Sequence, residues 1–106
     1  CTSVEHVNLA ANRIGDSGAH DIAEGLSSCA SLKKLSLSGN RIGNCGAEGL
    51  AMALSGCTNL TTMELYDNHI CDEGAEQLLA ALPACGINLD GNPAKASLWM
   101  PRMGLK

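Results

Sequence analysis

Apolar residues recur along this chain in two alternating rhythms. In Leu35-Ser36-Leu37 and Met63-Glu64-Leu65 they fall at every second position, the period of a short strand with one buried face. Downstream, Ala19, Ile22, Ala23 and Leu26 fall at helical spacing. The same stripe returns at Ala47, Leu50, Ala51, Leu54 and at Ala75, Leu78, Leu79, Leu82. Between the rhythms stand Asn12, Asn40 and Asn68, whose short amides can bond nearby backbone and hold a tight bend. The pattern predicts strand, turn and helix, three times over, with Asp16, Asn44 and Asp72 as candidate helix caps.

The copies are in strict register. Val4, Leu32 and Leu60 are 28 residues apart, and so are Leu9/Leu37/Leu65, Gly18/Gly46/Gly74, Leu26/Leu54/Leu82 and Cys29/Cys57/Cys85. The predicted units are about 4–31, 32–59 and 60–85, with a truncated unit at 86–92 and a cap or tail at 93–106. A unit of this kind cannot bury its apolar face alone, so about three are needed for a stable core. Stacked strand–helix units place parallel strands on one side and helices on the other. Helices are about 10 Å wide and strands about 4.8 Å apart, so the predicted α/β solenoid curves into a horseshoe segment with its strands inside.

The signature Leu-x-x-Leu-x-Leu-x-x-Asn-x-Ile-Gly resembles the leucine-rich repeats of the ribonuclease-inhibitor type, which have a full helix in a 28-residue unit. Such repeats occur in ribonuclease inhibitor, in the Ran GTPase-activating protein and in the sensor arrays of NOD-like receptors. The resemblance runs from residue 4 to about 92. It implies a cytoplasmic protein-binding module and leaves the partner open.

Both ends depart from the pattern. Leu89 follows Leu65 by 24 residues rather than 28, and Pro83, just after Leu82, is where the shortened third helix is expected to end. Leu98, Trp99 and Met100 are expected to cover the last apolar layer. At the front no such lid is present, so Ile14, Ile22 and Leu26 would lie bare unless further repeats or another subunit cover them.

Composition narrows the reading. The hydrophobic fraction is 45%, yet there is no Phe, one Tyr and one Trp, so thin layers of small aliphatic side chains must form the core. A net charge of −4 without a basic stripe, Lys33-Lys34 being the only adjacent basic pair, argues against nucleic acid. No apolar run approaches the roughly 18 residues that span a bilayer, and no basic-then-apolar leader is present, so the chain reads as soluble. Six cysteines could mark a disulfide scaffold, but three share one repeat slot, which favours a buried column of reduced thiols. Paired metal-ligand spacing is missing, and His69-Ile70-Cys71 reads as a loop variant of Arg41-Ile42-Gly43. Gly39 to Gly46 lacks the Lys of a phosphate loop. No metal, cofactor or catalytic group is expected.

Function is therefore sought on a surface. The residues between strand leucines should face the concave side in rows: His6, Asn8, Ala10; Lys34, Ser36, Ser38; Thr62, Glu64, Tyr66; and Gly86, Asn88, Asp90. Arg13, Arg41 and His69 should form a column in the loops beyond. Tyr66 is the first choice of anchor, because an aromatic with a polar tip is a common interface hot spot. About a dozen side chains fall short of the 20–30 that a standard interface engages on each side, so other surfaces should contribute. The leading reading is a non-enzymatic interaction module. Alternatives are a structural subunit buried in a large assembly, or a fragment of a GTPase activator or NOD-like sensor array. A GTPase activator would be expected to carry a longer array and an acidic tail. The helix faces, with His20, Asp21, Glu24, Glu48, Ser55, Glu76 and Gln77, read as an acidic solvated exterior.

Overall fold

The computed structural model describes residues 3–101. Four strands, β1 (His6–Asn8), β2 (Lys34–Ser36), β3 (Thr62–Glu64) and β4 (Gly86–Asn88), alternate with α1 (Asp16–Leu26), α2 (Asn44–Leu54), α3 (Asp72–Ala81) and α4 (Ala96–Trp99). The strands form one parallel sheet in the order β1-β2-β3-β4. Its register places Val7 beside Leu35, Leu35 beside Met63 and Met63 beside Ile87. The molecule is a leucine-rich-repeat solenoid, with each strand apolar toward the helices.

Core burial is uneven from front to back. Leu35, Leu37, Ile42, Leu50 and Leu54 are wholly enclosed, while their counterparts Val7, Leu9, Ile14, Ile22 and Leu26 are only partly buried. Each unit is sealed by its two neighbours, and the first described unit has only one. At the other end Trp99 is 4% exposed and lies in the core, with Leu98 and Met100 packed against it. Helix α3 ends at Ala81, and Leu82, restricted by the following Pro83, leaves helical dihedrals.

The asparagines tie each unit to the one before. Asn40 Oδ1 accepts the N–H groups of Asn12 and Ile14, and its Nδ2 donates to the carbonyls of Leu9 and Leu37. Asn68 repeats the arrangement with Ile42, Leu37 and Leu65, and Asn92 with Ile70, Leu65 and Leu89. Asn40 and Asn68 are buried, so these bonds are shielded from competing water.

Two expectations need correction. Asp16, Asn44 and Asp72 do not cap their own helices, whose N-cap positions are Gly15, Gly43 and Cys71 without a side-chain bond. They serve the next unit instead. Asp16 Oδ1 accepts Gly43 N–H at 2.7 Å and Gly46 N–H at 3.0 Å, Asn44 Oδ1 accepts Cys71 and Gly74 N–H, and Asp72 Oδ1 accepts Lys95 N–H. This is possible because Gly46 and Gly74 have no Cβ: one at Gly46 would sit 2.8 Å from Asp16 Oδ1 and one at Gly74 2.7 Å from Asn44 Oδ1. The column of reduced thiols holds at Cys57 and Cys85, which are buried and form no disulfide, but Cys29 is disulfide-bonded. A small buried side chain at a repeat slot satisfies the packing whether it is a thiol or half of a bridge.

Candidate functional site

Strand register builds the concave face. His6, Lys34, Thr62 and Gly86 lie side by side, and Asn8, Ser36, Glu64 and Asn88 form the next row. Ala10, Ser38, Tyr66 and Asp90 follow where the strands run into the turns. Backbone bonds continue there, from Ala11 to Ser38, Gly39 to Tyr66 and Asp67 to Asp90.

The rows are not equally available. His6, Asn8, Lys34, Tyr66 and Asp90 are exposed, and Thr62, Glu64 and Asn88 are half-buried. Ser36 and Ser38, expected to meet a partner, are only 5% and 2% exposed, and their hydroxyls lie 3.4 Å apart. Short side chains among longer ones become a floor, so these two serines shape the surface without offering contact area. Above Ser36 lies a hollow of about 210 Å³, framed by His6, Val7, Asn8, Lys34 and Glu64. Lys34 Nζ and Glu64 Oε1 are 3.8 Å apart across it. Both are substantially solvated, so the pair contributes little to stability and orients charge on the rim.

Asn8 and Asn88 are partly committed, since each Oδ1 accepts the N–H two residues on, from Ala10 and Asp90. Tyr66 is 37% exposed; among the described residues it and Met52 are the exposed large apolar side chains. Arg13, Arg41 and His69 are exposed beyond the strands. Their backbones differ: Arg41 N–H bonds Ile14 O and His69 N–H bonds Ile42 O, whereas Arg13 has a positive φ of 58°. Among the described residues, neither guanidinium forms an ion pair.

A family model described as Leucine Rich repeat matches residues 1–23, 28–51 and 56–79. The chain belongs to the leucine-rich repeat family. No curated protein matches it significantly in sequence. Among solved structures it is similar to one titled "Leiomodin-1 Actin-Binding Site 2 (ABS2)", with a TM-score of 0.71 and 20% sequence identity. That likeness covers 84% of this chain and 56% of the other, so this leucine-rich repeat chain spans little more than half of that length.

Other features of this leucine-rich repeat chain lie outside the rows of the concave face. Met52, 72% exposed on α2, sits beside an open depression with His20, Glu24, Ser27, Gly49 and Ala53. Nothing in its helical stripe separates a solvated Met from a buried one. On α1, His20, Asp21 and Glu24 bring ligand-type atoms within 4.8 Å of one another, all exposed. At 3.7 Å the His20–Glu24 pair is a surface i,i+4 contact. An apolar hollow of about 310 Å³ lies where the 24-residue spacing leaves the layer short, between Ser55–Leu60 and Ala81–Cys85. Among the described residues, no helix is long and apolar enough to cross a membrane.

Proposed function

We propose that this chain is a non-enzymatic module of the ribonuclease-inhibitor type that binds a protein partner in the cytoplasm, using its concave face and the adjoining loops. The observation that carries the reading is the asymmetry of the concave face. A recessed serine floor is ringed by exposed side chains of both charge signs, with the half-exposed Tyr66 farther along. Such a shape receives a side chain from a partner, and Lys34, Glu64, Asp90, Arg13 and Arg41 supply charges that set its orientation. The openness of the hollow and the solvation of its ionisable groups favour binding over catalysis. Helices of 11 residues in each of two 28-residue units support the ribonuclease-inhibitor type.

The test is affinity capture with matched variants. Tyr66→Ala and Lys34→Glu on the concave face are expected to lose a partner that the native chain retains. Glu48→Lys and Met52→Ala on the helix face are expected to keep it, all four having unchanged circular dichroism. Actin is a useful first probe, because the leiomodin-1 segment of similar fold is titled an actin-binding site. Loss of binding by the helix-face variants alone would reject the concave assignment. A fluorescent fusion that fails to distribute through the cytoplasm would reject the location.

A further inference from the structure

We propose that the hollow over Ser36 receives the side-chain carboxamide of a glutamine or asparagine on the protein partner. The inference rests on the concave face being the binding surface and adds the chemistry of the group bound there.

The hollow has a polar floor whose bonding is incomplete. Ser36 and Ser38 are buried, yet their hydroxyls lie 3.4 Å apart, outside the roughly 2.5–3.0 Å of a good O–H···O bond. Among the described residues neither hydroxyl makes another bond. A buried hydroxyl in this state gains from a guest that completes its bonding. Strand register sets what stands around it. Asn8 and Glu64 flank Ser36 on the neighbouring strands, and His6 and Lys34 close the side toward the strand starts. Asn8 Oδ1 is taken by Ala10 N–H, and its Nδ2 makes no bond among the described residues. On the other flank, Glu64 has Lys34 at 3.8 Å, too far for a hydrogen bond, so its carboxylate can still accept. His6 can donate or accept. One side of the hollow therefore offers donors and the other an acceptor.

This arrangement selects among guests. Lys34 and Glu64 carry opposite charges close together, so a carboxylate drawn by one is repelled by the other, and an ammonium or guanidinium meets the reverse. An aliphatic or aromatic group would cover the Ser36 hydroxyl and the Asn8 amide without bonding them, which costs affinity. A carboxamide is neutral, with an acceptor at one end and two donors at the other. Its oxygen can take bonds from Ser36 Oγ and Asn8 Nδ2 while its nitrogen donates to Glu64. Strand spacing of about 4.8 Å puts the backbones of Asn8 and Glu64 about 10 Å apart, and two hydrogen bonds of about 2.9 Å leave the width of one small planar group. Asn8, Lys34 and Glu64 rise above the serine floor, so a side chain entering end-on reaches it and a strand laid across the face does not.

The test uses four capped peptides, acetyl-Gly-X-Gly-amide with X as Gln, Glu, Lys or Ala, titrated into the nitrogen-15-labelled chain and followed by NMR. The Gln peptide is expected to shift the amides of Asn8, Ser36 and Glu64 along a saturable curve, about fivefold or more tighter than the other three, the effect of roughly one net hydrogen bond. The Ala peptide has the same backbone amides and so separates side-chain from main-chain binding. Glu64→Gln should move the preference to the Glu peptide, and Lys34→Met should move it to the Lys peptide. Equal shifts from all four peptides would overturn the proposal, as would a lead for Glu, Lys or Ala on the native chain. So would the lack of any saturable shift with the Gln peptide up to its solubility limit. The titration needs no protein partner, so its failure rejects the carboxamide alone, whereas the capture experiment with Tyr66→Ala and Lys34→Glu decides the concave face.

Discussion

Replacing Asn40 by Ala should cost far more than replacing Asn12, although the two occupy the same repeat slot. Asn40 Oδ1 accepts two backbone N–H groups at 2.9 Å each, and its Nδ2 reaches Leu37 O at 2.9 Å and Leu9 O at 3.0 Å. The residue is 5% exposed, so water cannot readily replace these bonds. Each buried group left unpaired costs about 1–3 kcal/mol, and even with partial rehydration of Asn12 and Ile14 the loss should reach about 4 kcal/mol. That is a large share of the 5–15 kcal/mol typical of a domain, and corresponds to a fall in Tm of roughly 20 °C. Among the described residues the Asn12 side chain makes one exposed bond, to Ala10 O, so Asn12→Ala should cost less than about 1 kcal/mol. Urea titration followed by circular dichroism on both variants and the native chain gives the comparison. Equal losses in the two variants would refute the claim that these amides act by tying a unit to its predecessor.

Other outcomes follow from the same contacts. Asp16→Ala should cost about 2 kcal/mol in urea titration, because Gly43 and Gly46 lose their acceptor, while Asp16→Asn should be nearly neutral because Asn44 performs the same task one unit on. Trp99→Ala should cost about 3 kcal/mol and speed amide exchange in β4, since the ring covers the last layer. Thiol alkylation followed by mass spectrometry should label the exposed Cys45 and Cys71 well before the buried Cys57. Burial pushes the Cys57 thiol upward, so folding favours its protonated form. Its contribution is complete below the ordinary thiol range of about 8.5 and should be lost as pH rises through the higher folded value. A Cys57→Ala chain should lack that alkaline decline.

The fold was legible because the information is local and repeated. Leu35 and Leu37 alternate with Ser36, Leu50 and Leu54 share a helical face, and a constant spacing fixes which copies become neighbours. What the sequence concealed depends on what lies across from a residue. Asp16 beside Gly15 reads as a cap, and only the stacked geometry shows its carboxylate turned toward Gly43 and Gly46. The phase was nevertheless available, since Gly43 and Gly46 recur as Gly15 and Gly18 and the acidic or amide residue keeps step with them. Ser36 and Ser38 were placed on the correct face, but their burial depends on the reach of Lys34, Glu64 and Asn8, which alternation does not encode. Met52 and Leu50 belong to one helix, and their opposite exposure follows from packing against α1 and α3. The state of Cys29 could not be read from a slot that suits any small apolar side chain.

The concave face can be interrogated most directly by site-specific photocrosslinking in cells. A benzoyl-phenylalanine placed at Tyr66 is expected to attach to one protein of defined mass, and one at Lys34 to the same protein. The same probe at Met52, on the opposite helical surface, is expected to give no such adduct. An adduct from position 52 with none from 66 or 34 would contradict the account.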